Sequence, residues 1–244
     1  MKVFVQTHGR VLLLLAAASI LPYVPLVSQP LLQDDYPNIE QARLYGPVSN
    51  WPAMMSDPVF RYRATFWVLT HWIDRLFGPH PLPLYGVSVG LHLLNTWIIY
   101  SLGSWTVIGW PVATAAAGFF AIYEGHQEAV MWYSASSELL LFSCAALSLL
   151  FWIWFTQDAR KLHWYLASLI CFALALLSKE SAVVVVPLLF LPLLRPPFAY
   201  RLWLLLGPFA AMAAAEAWLI FATRSNSFRF ADGSFPLQAP FWIT

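Results

Sequence analysis

The chain is short of charged residues and of cysteine, and both shortages narrow its class. Charged residues make up 10% of the 244 residues, whereas 60% are hydrophobic and 17% are aromatic. A soluble domain usually has roughly 25% charged residues, so this composition argues against an ordinary water-soluble enzyme and indicates a membrane protein. The two cysteines, Cys144 and Cys171, both lie in apolar stretches, which favours a packing role over a disulfide.

Several common site motifs are also missing from the sequence. The chain has no Gly-rich phosphate loop, no Cys/His spacing typical of a metal site and no internal repeat. Its net charge is +1 and it has no long basic run, so we expect no nucleic-acid partner. What remains for chemistry is a small set of carboxylates, arginines, lysines and histidines.

Long apolar runs predict an all-α fold, a polytopic transmembrane bundle of about seven spans. A helix needs about 20 apolar residues to cross a hydrocarbon core about 30 Å thick. The sixth run contains Pro187 and Pro192, so we expect it to be kinked or re-entrant. The first run also resembles a signal peptide, although VPLVSQP lacks a clean small-x-small cleavage site. The predicted spans are residues 11–31, 82–102, 107–123, 138–155, 163–178, 181–194 and 202–222.

The basic residues predict how these spans are oriented. With the amino terminus in the cytoplasm, the amino-terminal segment and the two charged cytoplasmic loops carry the basic residues, which fits the positive-inside rule. Most carboxylates then fall on the extracytoplasmic face or at outer helix ends. The basic residues assigned to the cytoplasm are Lys2, Arg10, Arg160, Lys161, Arg195 and Arg201.

The segment 33–81 is predicted to be a partly helical first extracytoplasmic loop. Its stretch FRYRATFWVLTHWIDRLFG places aromatic residues at helical spacing between charged ones, as in an amphipathic helix at a membrane surface. Four aromatic residues of this stretch are expected to face the membrane as anchors, namely Tyr62, Phe66, Trp67 and Trp72.

Four polar elements fall at the predicted outer face, and we expect them to converge on one site. They are the pair Asp34–Asp35, the stretch FRYRAT, the stretch YEGHQEAVMWYSASSE and the stretch LLSKESA. Taken singly, each has a simpler explanation. Glu138 and Glu180 follow serines and would suit the first turn of a helix, and Arg63 would suit lipid headgroups.

In this order, the four elements resemble those of the GT-C superfamily of polytopic glycosyltransferases. The resemblance is strongest to the branch related to protein O-mannosyltransferases that often carries tetratricopeptide repeats. It rests on an acidic pair after the first span, on Tyr62-Arg63, on His126 with Glu128-Ala129-Val130, and on Leu-Leu-Ser-Lys-Glu at 176–180. Two positions depart from the usual motifs, because Ala64 and Gln127 stand where proline is common.

This resemblance implies a site and a set of partners. The donor would be a polyprenyl-phosphate sugar, and the acceptor a hydroxyl of a protein or of a cell-envelope glycolipid. The protein would be a multi-pass protein of a bacterial inner membrane, in contact with its lipids, and its active site would be extracytoplasmic. By this resemblance residues 1–222 form the transmembrane module, and residues 223–244 begin a further extracytoplasmic segment of a longer chain.

The chemistry of the transfer indicates a role for each candidate residue. One of the two carboxylates, Asp35 or Asp34, would act as general base, with Asp35 slightly favoured and its neighbour orienting the acceptor. Asp34 is also the one candidate ligand for a divalent cation, and no other cofactor is expected. The donor phosphate would be bound by Arg63 and Lys179. The residues expected to bind or orient substrates are Glu128, Glu138, Glu180 and His126, with Glu180 also holding Lys179 in place.

Two alternatives from other classes stay open at this stage. A transporter or lipid flippase would need ionisable groups near the middle of the bilayer, and the chain offers few: its isolated polar groups there are His92, Asn95 and Glu216. Such isolated polar groups more often link neighbouring helices. A non-catalytic membrane scaffold is the other alternative, because a fold does not by itself establish an activity.

Overall fold

The structure, a computed structural model, describes residues 2–57, 61–158, 160–194 and 200–227. These residues form helices and short 3-10 turns, and no strand occurs among them. The predicted segment 223–244 lies outside the described residues beyond residue 227. The α-helices are α1 (Lys2–Ile20), α2 (Asp35–Tyr45), α3 (Trp51–Ser56), α4 (Ala64–Phe77), α5 (Pro81–Ser101), α6 (Gly109–Ile122), α7 (Gln127–Met131), α8 (Ser136–Gln157), α9 (Leu162–Leu176), α10 (Val185–Leu189), α11 (Tyr200–Leu204) and α12 (Gly207–Ser227).

Four apolar stretches of the described chain are long enough to cross a membrane. They are His8–Leu26, Pro81–Ser104, Tyr133–Gln157 and Leu202–Phe221. Three further apolar stretches are shorter, at Gly109–Ile122, Leu162–Leu176 and Glu180–Leu194. The composition and these helices indicate a membrane protein, while the prediction of seven crossings is not confirmed.

The sixth predicted span is broken into short pieces. Residues Glu180–Val184 form a 3-10 turn, α10 covers only Val185–Leu189, and Leu191–Leu194 form another 3-10 turn. Pro187 and Pro192 lack the amide hydrogens that a continuous helix needs, which accounts for the interruption. The expected kink is therefore present in the structure.

Buried polar side chains link the long helices to one another. His92 of α5 makes a hydrogen bond with the carbonyl of Ala121 at 3.2 Å. Asn95 donates to the carbonyl of Leu139 at 3.0 Å and accepts from Ser143 at 2.6 Å. Bonds of this kind join neighbouring helices in an apolar environment. His92 and Asn95 therefore connect helices, and they offer little support for a transport pathway.

The segment 33–81 packs against the bundle through α2, α3 and α4. Arg43 of α2 donates two hydrogen bonds to the carboxylate of Asp74 in α4, at 2.8 and 2.9 Å. At Gly46, just after α2, the side chain of His71 lies so close that any Cβ would collide with it. Glycine at this position therefore allows the two helices to approach.

Two of the predicted membrane anchors face the protein interior instead. Phe66 is 1% exposed and Trp67 is 4% exposed, and both belong to the core cluster beneath α4. Trp72 on the same helix is 44% exposed. The expectation that Phe66 and Trp67 anchor the membrane surface is therefore wrong, because the apolar face of α4 packs on the bundle.

Candidate active site

Asp35 is a buried carboxylate at the start of α2. Its side chain is fully buried and accepts three hydrogen bonds. The backbone amide of Leu32 donates to Oδ2 at 2.8 Å, and the amide and hydroxyl of Ser134 donate to Oδ1 at 2.8 and 2.6 Å. Ser134 in turn accepts a bond from Asn38 at 2.7 Å. Asp35 therefore ties the start of α2 to the turn that precedes α8.

Asp34 differs from Asp35 in its solvent exposure and in its hydrogen bonds. It occupies the N-cap position of α2, yet its side chain makes no capping hydrogen bond. The residue is exposed to solvent, as is the adjacent Tyr36. Of the two adjacent carboxylates, only that of Asp34 is accessible to an incoming molecule.

The second and fourth polar elements meet at Thr65. The amide of Thr65 donates to the carbonyl of Leu177 at 3.2 Å, and its hydroxyl lies 2.7 Å from that of Ser178. Arg63, two residues earlier, is exposed just before α4 begins. The loop that follows α9 therefore lies against the loop that carries Arg63.

The third and fourth elements are joined by an ion pair between Glu138 and Lys179. Their side chains are 42% and 26% exposed, so the pair is partly screened by water. The sequence predicted Glu180 as the partner of Lys179, and this prediction is wrong. Glu180 lies instead near enough to Glu216 for their charges to interact. The loop conformation decides this, since adjacent side chains in an extended loop point apart, and Lys179 has φ −166° and ψ 145°.

Tyr133 connects the third element to α4. Its ring is fully buried and its hydroxyl lies 2.8 Å from that of Thr70. The ring also lies 5.6 Å from that of Phe66, measured between centroids. Ser134 is not among the predicted site residues, because nothing in the stretch YSASSE distinguishes the serine that faces Asp35.

These contacts join all four polar elements into one connected group. Asp35 reaches the third element through Ser134, Glu138 reaches the fourth through Lys179, and Thr65 joins the second to the fourth. The longest of these contacts joins residues that are 113 positions apart along the chain. Their convergence is therefore a property of the fold.

One cavity beside this group is lined by aromatic side chains and one carboxylate. It has a volume of about 490 Å³ and lies where the first span ends, next to Leu32. Glu128 contributes the carboxylate, while Tyr23, Tyr85 and Trp132 contribute ring surfaces. The indole Nε1 of Trp132 is buried without a hydrogen-bond partner. Aromatic walls with a few unpaired polar groups are typical of a small-molecule site.

A second cavity, of about 510 Å³, is lined by His126 and Glu138 together with mostly apolar side chains. The His126 ring stacks on Phe120 at 4.4 Å, and its Nε2 is buried without a partner. Burial lowers the pKa of His126, and a backbone hydrogen bond at Phe120 opposes this only in part. His126 is therefore neutral at neutral pH.

The candidate residues are thus close in the fold but do not share one cavity. Glu128 faces the aromatic cavity, whereas His126 and Glu138 face the second one. Asp34 and Arg63 are exposed, and Asp35 is buried in its own hydrogen-bond network. Within the described ranges, no group of three or more His, Cys, Asp or Glu side chains is placed to hold a metal ion. A divalent cation at Asp34 stays a prediction.

Comparison of the chain with family models, with curated proteins and with solved structures finds no match. The resemblance to GT-C glycosyltransferases therefore rests on the four sequence elements alone. The function that it implies is carried forward as a proposal.

Proposed function

We propose that the protein is a membrane glycosyltransferase of the GT-C type. It moves a sugar from a polyprenyl-phosphate donor to a hydroxyl of a protein or glycolipid acceptor. The observation that carries this proposal is the convergence of the four polar elements through Ser134, Lys179 and Thr65. Elements that only capped separate helices would have no reason to contact one another.

In this proposal Asp34 is the general base and Asp35 is the residue that positions it. The acceptor oxygen attacks the anomeric carbon as its proton passes to the Asp34 carboxylate. The bond from that carbon to the phosphate oxygen breaks, and the lipid phosphate leaves with the electron pair. A positioned base contributes about 100-fold to 10,000-fold to such a step. Exposure favours Asp34 for this role, since the oxygens of Asp35 already accept three hydrogen bonds.

Arg63 and Lys179 supply positive charge for the leaving phosphate. Both lie on the two loops that Thr65 and Ser178 hold together. The guanidinium of Arg63 is exposed, so it is available for a bidentate contact with phosphate oxygens. Lys179 contributes a compact ammonium charge beside it.

The aromatic cavity is the proposed site for the sugar ring. Glu128 accepts hydrogen bonds from sugar hydroxyls, and the unpaired indole N–H of Trp132 donates one. Glu138 and His126 face the other cavity, and in this proposal they act toward the donor lipid. Glu180 follows Lys179 directly in the sequence, and in this proposal it orders the loop that carries Lys179.

The positive-inside rule supports an extracytoplasmic location for this site. On that topology the loop after α8, with Arg160 and Lys161, is cytoplasmic. The opposite ends of α8 and α9 carry Glu138 and the loop to Lys179, and these would face outward. We therefore place the reaction at the outer surface of a bacterial inner membrane.

A donor panel tests this function directly. Membranes that contain the full chain are incubated with polyprenyl phosphates carrying different radiolabelled sugars, and label transferred to protein and to lipid is measured separately. Transfer from at least one donor, absent in Asp34→Asn membranes, is the expected result. Equal transfer by wild-type and Asp34→Asn membranes from every donor would refute the proposal.

A further inference from the structure

The second cavity is lined mainly by apolar side chains, with a few polar side chains among them. Its walls come from α5, α6, α8 and α10, with Ile99, Leu149 and Leu188 among the apolar lining residues. Its polar lining residues are few, namely Asn95, His126, Glu138 and Ser181. A site with this distribution suits a molecule that has one polar group and a long hydrocarbon chain.

The positive charge of Lys179 is paired with a carboxylate that lines this cavity. Lys179 donates to Glu138, and Glu138 itself lines the cavity. The ammonium group therefore lies beside the cavity, and the carboxylate of Glu138 neutralises its charge. An ion pair with this much solvent exposure is weak, so a phosphate can replace the carboxylate.

We propose that this cavity binds the hydrocarbon chain of a lipid phosphate and that Glu138 is a displaceable counter-ion for Lys179. The lipid phosphate takes the place of the Glu138 carboxylate on Lys179 while the chain lies between α5, α8 and α10. The choice of a phosphate head rests on the proposed function. The cavity and the ion pair that argue for the exchange do not depend on it.

This arrangement has an unusual consequence for Glu138. A residue that binds the substrate loses affinity when its charge is removed, whereas a competing counter-ion gains affinity for the ligand. Removing the carboxylate of Glu138 frees Lys179 and also removes the repulsion between that carboxylate and the phosphate of the ligand. The sign of the effect therefore distinguishes the two roles.

The test uses the full chain in nanodiscs and a photoreactive probe. The probe is hexadecyl phosphate with a diazirine at the end of its chain, and the labelled peptides are identified by mass spectrometry. Label is expected in α8 and α10, and hexadecyl phosphate should compete with it. Butyl phosphate, inorganic phosphate and hexadecanol should compete far less, because each lacks the chain or the charge.

Three variants, each with a matched control, test the parts separately. Glu138→Gln should make hexadecyl phosphate compete at about twofold to fivefold lower concentration, the range expected for loss of a partly exposed pair. Lys179→Gln should weaken competition about tenfold. Ala146→Phe should abolish labelling by filling the cavity. The controls Glu40→Gln, Lys161→Gln and Ala116→Phe should behave as wild type.

Each opposite outcome overturns a defined part of the inference. Weaker binding in Glu138→Gln would refute the counter-ion role, and labelling that survives Ala146→Phe would refute the cavity. Equal competition by inorganic phosphate would mean that only a free anion is bound. Lipid binding without sugar transfer would refute the proposed function and leave this inference standing, so the two failures are distinguishable.

Discussion

Replacing Asp35 and Asp34 by asparagine, one at a time, is expected to change two different properties of the protein. Asp35→Asn perturbs a buried side chain with three hydrogen bonds, whereas Asp34→Asn perturbs an exposed one. The first change should lower stability and the second should lower the rate of transfer. The two changes have nearly identical size and chemistry, so each variant serves as a control for the other.

The magnitude for Asp35→Asn follows from its hydrogen bonds. The new amide oxygen can keep both bonds from Ser134, but its NH₂ group then faces the amide of Leu32, which also donates. A lost bond to a charged acceptor costs about 1.5–3 kcal/mol, and the unpaired amide adds to this cost. Relief from burying a charge offsets part of it. We expect a loss of about 2–3 kcal/mol.

The stability difference can be measured by thermal unfolding of the purified full chain. For a protein of this length, a loss of about 2–3 kcal/mol corresponds to a Tm lower by about 4–12 °C. Asp34→Asn should stay within about 0.5 kcal/mol of wild type, as for an ordinary surface substitution. Its transfer rate should nevertheless fall about 100-fold to 10,000-fold.

Two results would refute this reasoning. Full transfer activity in Asp34→Asn would remove the proposed base. An unchanged Tm in Asp35→Asn would show that the carboxylate is not held as the structure has it, and Asp35 would then be free to act as the base. The exposed variant Glu40→Gln should change neither quantity and serves as the common control.

Three further predictions concern the surroundings of the site. Ser134→Ala removes the hydroxyl that bonds to Asp35 and should lower stability by about 1 kcal/mol, measured by thermal unfolding. The double variant Ser134→Ala/Asp35→Asn should lose less stability than the sum of the two single losses, because both residues belong to one hydrogen-bond network. Strict additivity would contradict the shared network. Burial lowers the pKa of His126 in the folded state, so the imidazole binds a proton more readily in the unfolded state. The free energy of unfolding should therefore fall as pH drops below about 6.5 and level off below the folded pKa. His126→Phe should reduce this slope in Tm measured against pH, and an unchanged slope would contradict the assignment. A reporter fused after residue 56 should behave as extracytoplasmic and one fused after Arg160 as cytoplasmic, and the reverse pattern would invert the site.

The sequence predicted the long helices well, because their signal is local. Apolar runs at 82–102, 138–155 and 163–178 correspond to α5, α8 and α9 within two residues at each end. Pro187 and Pro192 similarly predicted the break in the sixth run, since a missing amide hydrogen acts at its own position. The number of crossings could not be predicted as reliably, because three apolar helices are short for a bilayer.

Partners of individual side chains could not be predicted, because they depend on packing between distant segments. The choice of Glu138 over Glu180 for Lys179 is set by the loop conformation at Lys179 and by where α8 begins. Burial of Phe66 and Trp67 likewise depends on which surface α4 packs against. The unequal environments of Asp34 and Asp35 arise from a serine 99 residues away from Asp35.

Consumption of a labelled polyprenyl-phosphate sugar by the full chain in proteoliposomes tests the central claim most directly. The account predicts that wild type and Glu40→Gln release free polyprenyl phosphate in the presence of an acceptor hydroxyl. Asp34→Asn should release about 100-fold to 10,000-fold less at the same amount of folded protein. Equal release by Asp34→Asn and wild type would contradict the claim that the four polar elements form a glycosyl-transfer site.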